Sequence, residues 1–183
     1  MLSESARMSS AAEARYRIDA ANSAPRAIRV IALDEPSEHV VRQLAATPWD
    51  HATFFTAAPA AHAAGDTVLE TAQSWIRDLT GISSTEWLRD LDGAAADLTK
   101  QVDGADLVVM VAAAGHSADV SAVIGAACSD RRVTTTALLV GGATASDKAV
   151  AQTLARIRPW SLMVVIANTD EYIEDMLVAL RGR

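Results

Sequence analysis

The sequence predicts an α/β fold of three layers, Rossmann-like, built on a doubly wound parallel sheet. Two observations lead to this prediction. The run ADLVVMVAAA at 105–114 is continuously apolar and rich in valine, as is typical of a central strand buried on both faces. Around this strand, short apolar runs alternate with segments of helical periodicity, and such alternation indicates parallel strands covered by helices on both sides.

The first predicted strand is the apolar run IRVIAL at 28–33, and a helix is expected to follow it at once. Asp34 or Ser37 can cap this helix, and Pro36 suits its first turn. A second strand is predicted over 52–56, where the chain reads ATFFT.

The middle of the chain is predicted to be a loop followed by two helices. The stretch 57–66 is rich in small residues and is expected to form the loop. Apolar positions then recur at helical spacing over 67–79, before Gly81 at the place of a C-terminal cap. A further helix is predicted over 86–102, and its buried face would carry Trp87, Leu91, Ala94, Leu98 and Val102.

The remaining elements are predicted to alternate regularly. The strands are expected over 106–113, 133–140 and 162–167, and the helices over 118–129, 146–157 and 170–181. Ser117 is expected to cap the first of these helices, and Thr169 with Asp170 to begin the last.

Length and composition indicate one folded domain. The chain has 183 residues, half of them hydrophobic, which suffices for one sizeable core. Residues 1–25 are rich in Ser, Ala and charge, and are expected to form a flexible extension with a short helix at 10–21. The domain is then expected over 26–183. The lone cysteine, Cys128, is expected to be a small buried helix residue, which fits a reducing cytoplasm.

Charge and hydropathy exclude several kinds of partner. A net charge of -7 and a pI near 5.0 oppose binding to nucleic acid, which requires clustered Lys and Arg. No apolar run is long enough for a membrane span, and the charged start does not match a signal peptide. We therefore expect a cytoplasmic protein with no nucleic-acid partner and no membrane span.

The residues that follow the central strand are the first candidates for chemistry. His116 at a strand end could act as a base beside the hydroxyl of Ser117, with Asp119 close by. The simpler interpretation of Ser117 is the helix cap. The four histidines, His39, His51, His62 and His116, show no metal-binding spacing, so no metal is expected.

Four segments of the chain, in order, resemble the N-terminal nucleotide-binding domain of the FtsZ/tubulin family, over about 26–180. IRVIALDEPSEHVVRQLA is similar to that family's opening strand, glycine loop and first helix, and VDGADLVVMVAAAG to the stretch before its signature loop. SAVIGAACSDRRVTTTALLV resembles the helix and strand after that loop. WSLMVVIANTDEYIEDML resembles the family's sixth strand and its Asn-Asp-containing end.

The resemblance implies a nucleotide cleft at the carboxyl ends of the strands, formed by Gly115, His116, Ser117, Gly141, Gly142 and Asn168. Asn168 matches an asparagine near the guanine base in that family. Asp147 falls near an acidic ribose contact, and Ala151 replaces the arginine expected four residues further on.

The chain departs from the family at the phosphate loops. Where the family has a run of glycines, this chain has Asp34-Glu35-Pro36-Ser37-Glu38, and its signature loop is shortened to Gly115-His116-Ser117-Ala118-Asp119. Carboxylates repel phosphates, and fewer glycines leave fewer N–H groups to receive them. The family's second domain, which completes hydrolysis, has no counterpart here. We therefore expect no filament-type GTP hydrolysis and no catalytic residues.

These observations predict a non-hydrolysing, FtsZ-like accessory or scaffold protein that acts through a protein partner or self-association, without a cofactor. The alternative is a residual nucleotide or small-ligand binding protein, or an enzyme, that uses the cleft at the strand ends, with GTP or GDP among the candidate ligands. An unrelated flavodoxin-like or Rossmann domain is the third possibility.

Overall fold

The structure is a computed structural model that describes residues 26–58, 87–167 and 170–180. The predicted extension 1–25, the predicted helix over 67–79, and Asn168 and Thr169 lie outside the described residues. None of the helices in the described part has the length and apolar character that a membrane span requires.

Seven strands and five helices form in the described residues. The strands are β1 (Ile28–Ala32), β2 (Ala52–Ala57), β3 (Leu88–Asp90), β4 (Ala95–Ala96), β5 (Leu107–Ala113), β6 (Thr134–Val140) and β7 (Met163–Ala167). The helices are α1 (Glu35–Ala45), α2 (Leu98–Asp103), α3 (Ser121–Asp130), α4 (Asp147–Ile157) and α5 (Asp170–Ala179), and a 3₁₀ turn, Arg158–Trp160, follows α4.

The strands form one sheet in the order β4-β3-β2-β1-β5-β6-β7. The pairings β1 with β2, β1 with β5, β5 with β6 and β6 with β7 are parallel, as predicted. The chain builds the sheet in one direction from β1 to β2 and in the other from β5 through β6 to β7. This reversal confirms a doubly wound α/β fold.

Helices cover the sheet on both faces. On one face, Val41 of α1 and Leu177 of α5 pack into a core with Val109 of β5. On the other face, Ile124 of α3 packs with Met110 of β5, together with apolar residues of α2 and the end of α4. All seven residues of β5 are buried, as expected for the central strand. The three predicted layers are therefore confirmed.

The predicted helix over 86–102 is wrong. This segment forms the antiparallel hairpin of β3 and β4, which extends the sheet beyond β2, and only then the short helix α2. Gly93 has a φ of +89°, which no right-handed helix includes. The carboxylate of Asp90 accepts the N–H groups of Asp92 and Ala94 at 3.0 and 2.8 Å, and these bonds close the turn. The sheet is therefore mixed at this edge.

Helix α3 lies in close contact with the 3₁₀ turn after α4. A Cβ built at Gly125 would lie 2.4 Å from the Cβ of Trp160 and 3.0 Å from its Cγ. Cys128, on the same helix, is buried, and burial raises the pKa of its thiol to about 12. The thiol therefore stays protonated at neutral pH and packs as an apolar group, as predicted.

We expect Gly125→Ala to lower the free energy of unfolding by about 1–3 kcal/mol, because the added methyl group overpacks the contact with Trp160. In an open helix the same change would raise stability by about 1 kcal/mol. Urea unfolding measures the difference. Ser129→Ala, at an exposed position of the same helix, is the control and is expected to change stability by less than about 0.5 kcal/mol. Equal stability of the two variants would contradict the prediction.

Candidate functional site

The crevice between the carboxyl ends of β1 and β5 is the place where this fold class receives ligands. The two strands are neighbours, and the chain leaves them in opposite directions across the sheet. In open α/β sheets this reversal opens a crevice that the following loops and a helix N-terminus line. The N-terminus of α1, directly after β1, therefore faces the position that a nucleotide phosphate would take.

Asp34 lies in this crevice and bridges its two sides. One carboxylate oxygen, Oδ1, accepts the N–H of Ser37 at 2.9 Å and caps α1. The other, Oδ2, accepts the N–H of Ala113 at the end of β5, at 2.8 Å. The side chain of Ser37 completes the capping box, because its hydroxyl accepts the N–H of Asp34 and donates to the Asp34 carbonyl.

The Asp34 side chain thus binds N–H donors at a place where sheets of this class commonly bind a phosphate. Asp34 is only 7% exposed, so its carboxylate is held away from solvent. Burial raises the pKa of Asp34 above its ordinary value, and the N–H groups of Ala113 and Ser37, the Ser37 hydroxyl and the nearby His116 oppose that rise. The helix dipole of α1 also favours a negative charge at this point.

The loop after β5 is tied to α4 and leaves few groups for a ligand. Gly115 has a φ of +87°, and its N–H donates to Oγ1 of Thr153 at 3.0 Å. The N–H of His116 donates to the Ala113 carbonyl at 3.1 Å, which closes a tight turn. Two N–H groups of this loop are therefore used inside the protein.

Ser117 does not cap the next helix, so that prediction is wrong. Helix α3 begins at Ser121, and Val120 stands at its N-cap position without a side-chain cap. The Ser117 hydroxyl instead donates to Oδ2 of Asp119 at 2.7 Å. Because its proton points to Asp119, Ser117 is not arranged as a nucleophile that His116 deprotonates.

A small polar cavity lies beside this loop. Its volume is about 270 Å³, and it is lined by Gly115, His116, Ser117, Gln152, Thr153 and Arg156. Arg156 forms an ion pair with Asp119, which neutralises much of its charge. The cavity therefore combines hydrogen-bonding groups with a cation that already has an internal partner.

The other predicted cleft residues do not line this cavity. Gly141 has a φ of +72°, and its carbonyl accepts the N–H groups of Thr144 and Ala145, which indicates a turn. A Cβ at Gly142 would lie 2.8 Å from Cγ2 of Ile166, so Gly142 permits the close approach of β7. Of the six predicted cleft residues, Gly115, His116 and Ser117 are brought together, and Asn168 lies outside the described residues.

The sequence prediction missed the contact between Asp34 and β5. It placed acidic residues beside the phosphate position but did not assign one of them to the crevice. The spacing of Asp34 and Ser37 after a strand is the pattern of a capping box and indicated that the Asp34 side chain turns back toward the helix start. The bond to Ala113, 79 residues away in the chain, has no such local pattern.

Two further depressions lie away from the crevice. A cavity of about 460 Å³ lies beside the amino ends of β6 and β7 and includes Trp160 and Leu162 in its lining. Another, of about 320 Å³, lies between α1 and β3, where Glu35, Glu38, Arg42 and Arg89 meet. Among residues 26–58, 87–167 and 170–180, no three His, Cys, Asp or Glu residues are grouped as metal ligands.

No family model matches the chain, and no curated protein matches it. Among solved structures, the chain is similar to the translation elongation factor SelB from Methanococcus maripaludis, in complex with the GTP analogue GppNHp. The identity is 7% and the TM-score is 0.45, over 85% of this chain and 34% of that protein. This chain thus matches about a third of the length of SelB, and a similarity of this degree identifies neither a family nor a function.

We expect Asp34→Asn to lower the free energy of unfolding by about 1–3 kcal/mol. The asparagine amide has only one oxygen for the N–H groups of Ser37 and Ala113, so its NH₂ group faces one of these two donors. Chemical unfolding at pH 7 measures this loss. Asp50→Asn, at an exposed loop position, is the control and is expected to change stability by less than about 0.5 kcal/mol. A loss no larger than that of Asp50→Asn would show that the bridge contributes nothing.

The same pair of proteins tests the pKa of Asp34. Because burial raises the pKa of the folded carboxyl above its value in the unfolded chain, its contribution to stability is complete below pH 4 or so and decreases as pH rises through the folded pKa. We therefore expect the stability difference between wild type and Asp34→Asn to be largest at about pH 4 and below, and to decrease as the pH is raised from there. A difference that grows over this range would mean that the pKa of Asp34 is lowered.

Proposed function

We propose that this protein is a non-hydrolysing scaffold or accessory protein, FtsZ-like in fold, that acts through protein-protein contacts and binds no nucleotide in its crevice. The observation that carries the proposal is the Asp34 carboxylate between the N-terminus of α1 and the end of β5. The resemblance of the chain's segments to the FtsZ/tubulin family supports an origin from a nucleotide-binding domain and is part of the proposal.

The electrostatics of the crevice oppose a phosphate. A phosphate charge 4 Å from the carboxylate would meet a repulsion of about 4 kcal/mol at an effective dielectric constant near 20. The N–H groups of Ser37 and Ala113, which a phosphate would need, already donate to Asp34. Displacing the carboxylate would leave it buried without its partners, at a further loss of about 1–3 kcal/mol.

A second candidate function is the binding of a small polar ligand in the cavity beside His116. The observation that favours it is the convergence of Gln152, Arg156 and His116 on one cavity of about 270 Å³ at the strand ends. This volume is slightly below the usual range for ligand sites, about 300–1,000 Å³. It would accept a mononucleotide fragment or smaller molecule, with Asp119 competing for Arg156.

Titration calorimetry with GTP, GDP and ATP, with and without Mg²⁺, tests the proposal. We expect no saturable binding up to a nucleotide concentration of about 1 mM. A dissociation constant of 1 mM corresponds to a binding free energy of about −4 kcal/mol, so even weak binding would be detected. We also expect no nucleotide-dependent rise in melting temperature. Micromolar binding of any of these nucleotides to the wild type would overturn the proposed function.

Two variants separate the candidate functions if a nucleotide does bind. His116→Ala and Arg156→Ala remove groups from the small cavity and leave the Asp34 bridge intact. A loss of affinity of tenfold or more in both variants would assign the binding to that cavity. Gln43→Ala, at an exposed position on α1, is the control and is expected to leave the affinity unchanged.

A further inference from the structure

Strand β7 forms one end of the sheet, and in the described part of the chain it pairs with β6 alone. The N–H of Leu162 donates to the Thr135 carbonyl at 3.0 Å, so the backbone groups of 162, 164 and 166 point toward β6. Because backbone groups alternate in direction along a strand, those of Met163, Val165 and Ala167 point away from the sheet. This edge therefore presents a row of donors and acceptors.

Apolar side chains are concentrated on the same unit. All five large hydrophobic residues that are exposed in the described part of the chain belong to β7, the residue before it, or α5. Leu162 is 82% exposed, Met163 46% and Ile166 48%, and on α5 Tyr172 is 51% and Val178 39% exposed. Exposed apolar side chains beside an unpaired strand edge are typical of a surface that associates with another chain.

The two ends of the sheet differ in how they are protected. The opposite end is β4, which has only two residues and lies near the carboxylates of Asp92 and Asp97. Short strands and charged neighbours are the usual protection against edge-to-edge pairing. The segment 161–167, SLMVVIA, has no charge, no proline and no glycine. The β7 edge thus lacks the protection that the β4 edge has.

We propose that the β7 edge binds the β7 edge of a second copy of this chain, in antiparallel pairing about a two-fold axis, so that the two sheets become continuous. This inference rests on the proposed function and names its partner. A two-fold contact requires a surface that is complementary to itself. Every residue from Leu162 to Ala167 is apolar, so antiparallel pairing about the middle of the strand sets apolar side chains against apolar side chains.

The exposed area suits a reversible dimer. With about 200 Å² for a fully exposed large side chain, the five residues expose on the order of 500 Å². A standard interface buries about 800 Å² on each partner, so we expect a contact of this smaller size to form a weak, reversible dimer. Each copy carries a net charge of -7, so the copies repel at long range, and added salt is expected to strengthen the dimer.

Sedimentation analysis of the full chain from about 1 to about 300 μM tests this proposal, because a weak, reversible dimer forms in that range of concentration. We expect the average mass to rise with concentration from 19.3 kDa toward twice that value. Met163→Lys places a charge at the edge and is expected to weaken the dimer at least tenfold. Gln43→Lys makes the same change of charge on the exposed face of α1, and we expect it to dimerise like the wild type.

Leu162→Lys is a second variant that is expected to fold normally, because the Leu162 side chain is 82% exposed and its replacement removes little packing. Circular dichroism confirms that each variant is folded. A wild type that stays monomeric at all concentrations overturns the inference, and so does a dimer that survives both lysine substitutions. A monomer in which the outward amides of Met163, Val165 and Ala167 resist hydrogen exchange also overturns it, because residues of the same chain then cover the edge.

The two proposals fail in different ways. A monomer that binds no nucleotide overturns the dimer and leaves the scaffold function with another partner. Micromolar nucleotide binding in calorimetry overturns the scaffold function, whatever the mass of the protein.

Discussion

The bridge made by Asp34 is the interaction on which the centre of this structure depends. One carboxylate joins the start of α1 to the end of β5, and so fixes the crevice between the two strands where the winding of the sheet reverses. A buried charge is tolerated there because two N–H donors and a helix N-terminus face it. These are the same features that make such crevices bind phosphates in other α/β proteins. In this protein the same features hold an internal contact between α1 and β5.

The loop after β5 follows from the same constraint. With Ala113 bonded to Asp34, the chain turns sharply at Gly115 and is held against α4 by Thr153, which is itself 1% exposed. The ion pair of Asp119 with Arg156 joins the loop to α4 a second time. Hydrogen bonds that a phosphate loop would offer to a ligand therefore stabilise the packing of α4. This arrangement supports the proposal of a scaffold rather than a nucleotide-binding enzyme.

The second feature that supports the proposed scaffold is the exposed edge strand β7. In the crevice the N–H groups of Ser37 and Ala113 already bond to Asp34, whereas β7 leaves an apolar strand edge exposed among the described residues. An unprotected edge of this composition favours association, because backbone groups need partners and apolar side chains leave water on pairing. In the proposed scaffold, the site of action is thus at the edge of the sheet, and the crevice between β1 and β5 contributes to the stability of the fold.

The sequence by itself determined the fold class. The apolar run of β5, the capping residues around Asp34 and the alternation of strands and helices after 105 are local patterns, and each predicted its element. The hairpin at β3 and β4 escaped prediction because apolar residues at helical spacing also fit short strands, and the turn at Gly93 decided between them. The tertiary structure alone brought Asp34 to Ala113 and left β7 at the edge. Contacts between distant segments depend on strand order, which local periodicity does not encode.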